Sequence, residues 1–280
     1  MRTDSPASRT AMMVAAYRAR ATKSRPSLCN DSWAAALAGV EGGRLAGEFD
    51  ATWGHMELWI AVRSGFLDRH IDHFTGSGIE QVVVLGAGLD TRAARMARDG
   101  VRFFEVDHPS TQEEKRRRLE GLAGYPVDAA IYASCDFERE DFLDRLVECG
   151  FDTTAPAVIV WEGVVPYLTE EAVRSTCRRV ASGCEPSTVL LFDYVRKRMV
   201  SGASLRHGDK QALDLVTDVG EPVRFGTDDP LPLLYEEGFR HVRTVTFDQA
   251  CLSLTGTYDR ERAFRFQHMA VCSAGAPAVP

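Results

Sequence analysis

The 280-residue chain reads as an α/β protein: a doubly wound, Rossmann-like sheet of seven mostly parallel strands, with a helical N-terminal section and a lid insert. Three observations predict this. From about residue 80, short apolar or β-branched runs alternate with amphipathic stretches of helix length, the pattern of parallel βαβ units whose strands are buried on both faces. The first of these runs ends in Gly86-Ala87-Gly88, a turn of the kind that opens onto a helix at the carboxyl edge of such a sheet. Residues 1–75 hold no strand-like run and instead space apolar side chains helically, as in Leu58, Val62, Phe66 and Ile71.

The elements follow in order. Residues 1–75 form a helical cap. The core, 78–194, carries strands at 81–85, 101–106, 129–133, 157–161 and 188–194. A polar insert at 195–238 reads as a lid containing Arg196, Lys197, Arg198, Arg206, His207 and Lys210, suited either to an anionic acceptor or to plain solvation. Segment 239–273 supplies two last strands, 242–247 and 267–272, the final one a candidate for antiparallel pairing. The tail from Ala274 to Pro280 reads as frayed. No linker rich in Ser, Gly and Pro divides the chain, so one domain with an added cap is expected.

Composition excludes several classes. With 45% hydrophobic and 26% charged residues the chain can fill a globular core. A net charge of −7 argues against a nucleic-acid partner. The local run from Lys115 to Arg118 follows Glu113 and Glu114 and reads as a solvated helix face with i,i+4 pairs, or else as a phosphate patch. The 7 cysteines are scattered without a C-x-x-C pair, so no metal site is expected and the thiols read as reduced. Neither a signal-peptide core nor a run of 18 apolar residues occurs, so no membrane partner and a cytoplasmic location are expected.

The glycine turn presents backbone N–H groups and a helix N-terminus, a seat for an adenosine-bearing cofactor. A dinucleotide fingerprint would place a third glycine where Thr91 stands, preceded here by Asp90. That carboxylate repels a pyrophosphate but tolerates a cationic sulfonium cofactor, which argues against NAD and FAD. Asp107, at the end of the second strand and about 20 residues after the glycines, is placed to accept both ribose hydroxyls. Asp136 and Phe137 close the third strand and can bond the adenine amino group and pack on its face, although Asp136 can equally cap a helix near Glu138. Glu162 ends the fourth strand, where cofactor and acceptor meet in this architecture, and its carboxylate there requires cationic or N–H partners.

These residues resemble the leucine carboxyl methyltransferase family, including bacterial relatives that O-methylate polyketides and other small acids. The resemblance rests on Leu85-Gly86-Ala87-Gly88-Leu89-Asp90-Thr91-Arg92, Phe104-Glu105-Val106-Asp107-His108-Pro109, Asp136-Phe137 and Glu162-Gly163-Val164-Val165-Pro166-Tyr167-Leu168, over roughly residues 10 to 200. It implies S-adenosylmethionine as cofactor, Gly86, Ala87 and Gly88 against its methionine moiety, Asp107 on the ribose, Asp136 and Phe137 on the adenine, and Glu162 at the amino acid end. It also implies that Arg18, with Arg20 as a rival, and Arg63 clamp the cofactor carboxylate. Where relatives carry an unbranched apolar residue this chain has Pro166, so its acceptor pocket is expected to differ.

Methyl transfer is an in-line displacement that demands positioning in a water-poor pocket. A carboxylate acceptor needs no base, whereas a phenol, with a pKa near 10, does. None of the histidines His55, His70, His73, His241 or His268 falls on a motif, and His108 and His207 read as structural. Tyr167 is the candidate polar group beside the acceptor, or a core residue. The expected reaction is therefore O-methylation of a small, anionic or polyketide-like acceptor, most readily at a carboxyl. A protein C-terminal carboxylate and, further off, a nucleotide-dependent oxidoreduction are the alternatives.

Overall fold

The computed structural model describes residues 9–24, 27–52, 54–137, 139–202, 210, 213–214, 217, 221–257 and 266–277. Helices α1 (Arg9–Lys23), α2 (Ala34–Thr52) and α3 (Met56–Gly76) precede the first strand. The strands are β1 (Gln81–Leu85), β2 (Arg102–Asp107), β3 (Ala130–Ser134), β4 (Val158–Trp161), β5 (Val189–Val195), β6 (His241–Thr246) and β7 (Gln267–Ser273). Between them run α4 (Arg92–Arg95), α5 (Pro109–Glu120), α6 (Phe142–Glu148), α7 (Glu170–Gly183), α8 (Arg198–Ser201), α9 (Leu231–Glu236) and α10 (Phe247–Thr255).

The strands form one seven-stranded sheet in the order β3-β2-β1-β4-β5-β7-β6. The five strands β1 to β5 run parallel, and β7 pairs antiparallel with both β5 and β6. Each strand end lies within one residue of the sequence expectation because runs such as Gln81–Leu85, apolar after the first residue, are buried along their whole length. After β3 the chain crosses back to place β4 on the other side of β1. Ligands in such sheets bind in the crevice at this switch point, between the carboxyl ends of β1 and β4.

Alternation along the strands feeds two cores. Val82, Phe103, Val158, Val160 and Leu191 pack with Tyr17, Leu37, Ile60 and Leu67 from the N-terminal helices, whereas Val83, Phe104, Ile159 and Leu190 pack with Leu143, Val173 and Leu234 on the opposite face. Two expectations are corrected. The described part of the tail, to Pro277, is tied down at Gly275, whose N–H donates to the Pro186 carbonyl at 2.6 Å and whose carbonyl accepts the Ser273 hydroxyl; residues 278–280 lie outside the described residues. The basic run is not a uniform solvated face: Lys115 is buried and paired with Glu105, Arg116 lies over the Tyr132 ring, and Arg117 and Arg118 pair with Glu114. Three of its four charges meet carboxylates, with the expected i,i+4 pair present between Glu114 and Arg118, and Arg116 is left on the exposed side against a ring. No helix among the described residues is long and apolar enough to cross a membrane.

Candidate functional site

The turn after β1 is held to β2. The N–H groups of Gly86 and Ala87 both donate to the Val106 carbonyl, at 2.8 and 3.2 Å. Gly86 has φ 67°, and a Cβ there would lie 2.6 Å from a methyl of Val164, so only glycine lets the turn approach the segment after β4. Asp107, at the tip of β2, accepts the Gly88 N–H at 2.5 Å on one carboxylate oxygen and the His108 N–H at 2.7 Å on the other. Burial pushes its carboxyl above the ordinary value, and these two bonds oppose that rise. The sequence thus fixes the carboxylate beside the glycines through a strand end and the capped start of α5.

A chain of buried ion pairs crosses the crevice. Arg92, 1% exposed, reaches Asp68 at 2.7 Å, Glu162 at 2.6 Å and Asp90. Arg95 adds a second pair to Asp68. Glu162 also accepts from Arg63 Nε at 2.8 Å and from the Ser64 hydroxyl at 3.1 Å. Arg63 then approaches Asp193 at 3.5 Å, and Asp193 accepts the Gly163 N–H at 2.6 Å. Burial alone would raise the Glu162 carboxyl; Arg92 and Arg63 outweigh it and hold the group well below the carboxylate range. Asp90 is likewise lowered, chiefly by Arg92 against burial.

Of the sequence-expected residues, Gly86, Gly88, Asp107, Glu162, Arg18 and Arg63 are linked to the glycine turn or the ion chain, with some changes of partner. The cations that Glu162 requires are supplied by Arg63 and Arg92. Asp90 is neutralised by its own neighbour Arg92, so it does not stand alone against a pyrophosphate. Arg18 reaches the turn, donating to the Leu89 carbonyl at 2.5 Å while paired with Asp31 at 2.9 Å. Arg20 instead pairs with Asp50 on α2, away from the turn. Asp136 lies two residues past the end of β3 and its side chain is 3.6 Å from Arg139; the next helix, α6, is capped by Asp141, not Asp136. Phe137 is 44% exposed. Four residues of the ion chain were not singled out from sequence: Arg92, Arg95, Asp68 and Asp193. Asp193 alone left a signal, being the one charged residue within the buried run Val189–Val195.

Beside Gly163 lies a cavity bounded by Phe49, Trp59, Arg63, Tyr167, Asp193, Val195, Met199, Val223 and Phe266, with Gln267 at its floor. Burial raises the Tyr167 hydroxyl well above the ordinary tyrosine value. No histidine among the described residues lines this space. His108 caps α5, His70 lies on α3 bonded to the Phe66 carbonyl, and His268 stacks on Tyr194. Arg206 and His207 of the insert lie outside the described residues.

The donor set suits a cation. Around the crevice six carboxylates, of Asp31, Asp68, Asp90, Asp107, Glu162 and Asp193, face four guanidiniums, of Arg18, Arg63, Arg92 and Arg95. An excess of negative charge in a buried site favours a sulfonium amino acid, which bears two positive groups and one negative, over a pyrophosphate.

Comparison with known proteins agrees. A family model described as "Leucine carboxyl methyltransferase" matches residues 11–181. A Mycobacterium avium (strain 104) protein named "Putative S-adenosyl-L-methionine-dependent methyltransferase" is 32% identical over 259 residues, 84% of this chain and 83% of that protein. A protein of the same name from Mycobacteroides abscessus is 28% identical over 255 residues, covering 86% and 85%. A solved structure from Thermobifida fusca YX, named a "putative methyltransferase", superposes with a TM-score of 0.67 at 15% identity and covers 98% of this chain and 97% of its own.

Proposed function

The chain belongs to the leucine carboxyl methyltransferase family and is an S-adenosylmethionine-dependent methyltransferase; from that premise we propose that it methylates an oxygen of a small, mostly apolar metabolite. The observation that carries this reading is the shared wall between crevice and cavity. Arg63 and Gly163 belong at once to the ion chain around Glu162 and to the lining of the cavity. A cofactor in the crevice and an acceptor in the cavity would meet there.

In this reading Gly86, Ala87 and Gly88 let the backbone approach the methionine moiety. Asp107 accepts the ribose hydroxyls, Asp136 and the exposed face of Phe137 take the adenine, and Glu162 attracts the ammonium. Arg18 and Arg63 steer the cofactor carboxylate, and Tyr167 orients the acceptor. The bound cofactor supplies an electrophilic methyl group. The protein supplies alignment and exclusion of water: apolar side chains line the cavity, and the helical cap, which carries Arg18 and Arg63, covers one face of the sheet.

Incubation with methyl-tritiated S-adenosylmethionine tests the proposal on a panel of small aromatic alcohols, their carboxylate counterparts and a peptide with a free C-terminus. Label transferred to a small-molecule oxygen is expected. Label found only in the peptide would establish the protein-carboxyl alternative, and label only on nitrogen or carbon would overturn oxygen specificity.

A further inference from the structure

Two groups in the cavity retain hydrogen-bonding capacity that the fold does not use. Gln267, the first residue of β7, is 1% exposed, and neither its amide oxygen nor its amide nitrogen has a partner among the described residues. Buried polar groups are rarely left so, because each forfeits its hydration without return. Asp193 is fully buried; one carboxylate oxygen accepts the Gly163 N–H at 2.6 Å, while the other is 3.5 Å from Arg63.

The sheet sets these groups side by side. In the antiparallel β5–β7 ladder Val195 stands opposite Gln267, and Asp193 lies two residues before Val195 on the same face. Such diagonal neighbours are about 7–8 Å apart, enough to hold one ligand between two polar ends. Both residues line the cavity, with Tyr167 and otherwise largely apolar neighbours.

Charge decides what can enter. Among the described residues Arg63 is the one guanidinium lining this cavity, and it is already shared between Glu162 and Asp193. An anionic acceptor would meet Asp193 without a cation of its own, a like-charge contact in a weakly screened space. We propose that the acceptor is a neutral hydroxyl compound, its reacting hydroxyl on Asp193 and a second polar group on the Gln267 amide. This rests on the oxygen-methylation reading and replaces the anionic acceptor and base-free chemistry expected from sequence.

The proton balance follows. As the hydroxyl oxygen forms its bond to the methyl carbon, the sulfur–carbon bond breaks with its electron pair left on sulfur, and the hydroxyl proton passes to Oδ2 of Asp193. An alcohol, a carboxylate and a sulfonium thereby give an ether, a carboxylic acid and a thioether. Burial lifts the Asp193 carboxyl above its ordinary value despite Arg63, which strengthens it as a proton acceptor.

Binding of 2,7-dihydroxynaphthalene and of 7-hydroxy-2-naphthoate to the full chain, with S-adenosylhomocysteine present, tests this by calorimetry and ligand-observed NMR. The diol should bind at least tenfold more tightly than the carboxylate. Asp193→Asn should erase that preference by removing the repelling charge, and Gln267→Met, an apolar substitution of similar size that keeps the fold, should weaken the diol about tenfold. A carboxylate that binds as well as the diol, a preference unchanged in Asp193→Asn, or no binding of either probe would overturn the inference. Cofactor binding measured in the same samples, and methyl transfer to any oxygen of the wider panel, report separately on the broader reading.

Discussion

Around the glycine turn and the end of β4, Asp31, Asp68, Asp90, Asp107 and Glu162 each meet a guanidinium or a backbone N–H. On the β5–β7 side the Gln267 amide meets no partner among the described residues, and Asp193 keeps one oxygen 3.5 Å from its nearest guanidinium. The carboxylates of the first side are matched before any ligand arrives, with Thr91 Oγ1 and Arg95 Nε left over among the described residues; the second side leaves a whole amide and a carboxylate oxygen for a ligand. A site for a constant cofactor can be built with every polar group matched and little left to reorganise. An acceptor pocket keeps its unmatched groups for the molecule it must tell from others, since an unpaired buried donor or acceptor is what rejects the wrong ligand.

The strongest way to break this contrast is on the matched side. Arg92→Ala leaves Asp68, Asp90 and Glu162 short of a shared buried cation, and a loss of about 3–5 kcal/mol in unfolding free energy is expected by urea denaturation. A loss under about 1 kcal/mol would mean that the ion chain is not a structural unit.

Next comes pH. Burial pushes the Glu105 carboxyl from 4.5 up to about 7, against the pull of Lys115. The folded chain therefore holds this proton more tightly than the unfolded one, so its stabilising contribution is complete below pH 4.5 and lost as pH rises through 7. Glu105→Gln should remove about 3 kcal/mol of pH dependence across that window, read as the difference between two stability–pH curves. Parallel curves would contradict the assignment.

Asp107→Ala should weaken S-adenosylmethionine binding by about 1–3 kcal/mol in calorimetry, the scale of losing charged hydrogen bonds. Unchanged affinity would remove Asp107 from the site. The smallest effect, and opposite in sign, belongs to the unmatched side: Gln267→Met should raise stability by about 1 kcal/mol, because a buried amide without partners gives way to an apolar chain. A destabilised variant would show that Gln267 is already satisfied.

Much of this was legible in the sequence, and the reason differs by region. The seven strands were visible because runs such as Val82–Leu85 and Val158–Trp161 are buried on both faces and carry no competing period. The glycine turn, Asp107 and Glu162 were visible because their roles depend on strand ends. The partners were not. Arg92 and Glu162 lie 70 residues apart and Arg63 and Asp193 lie 130 apart, and no local spacing encodes which guanidinium meets which carboxylate. Asp193 lies at no recognisable motif, although a lone aspartate in Val189–Val195 is itself a signal. Gln267 stood inside a correctly placed strand, but only the register opposite Val195 reveals that it faces the cavity.

The central claim is that the carboxylate-rich crevice around Glu162 receives the cationic end of the cofactor. Calorimetric titration of the wild-type chain and of Glu162→Gln with S-adenosylmethionine, and of the wild type with NADH, tests it most directly. The account predicts saturable binding of S-adenosylmethionine, at least tenfold weaker in Glu162→Gln, and no heat from NADH. Equal affinity in the two proteins, or binding of NADH in place of S-adenosylmethionine, would contradict it.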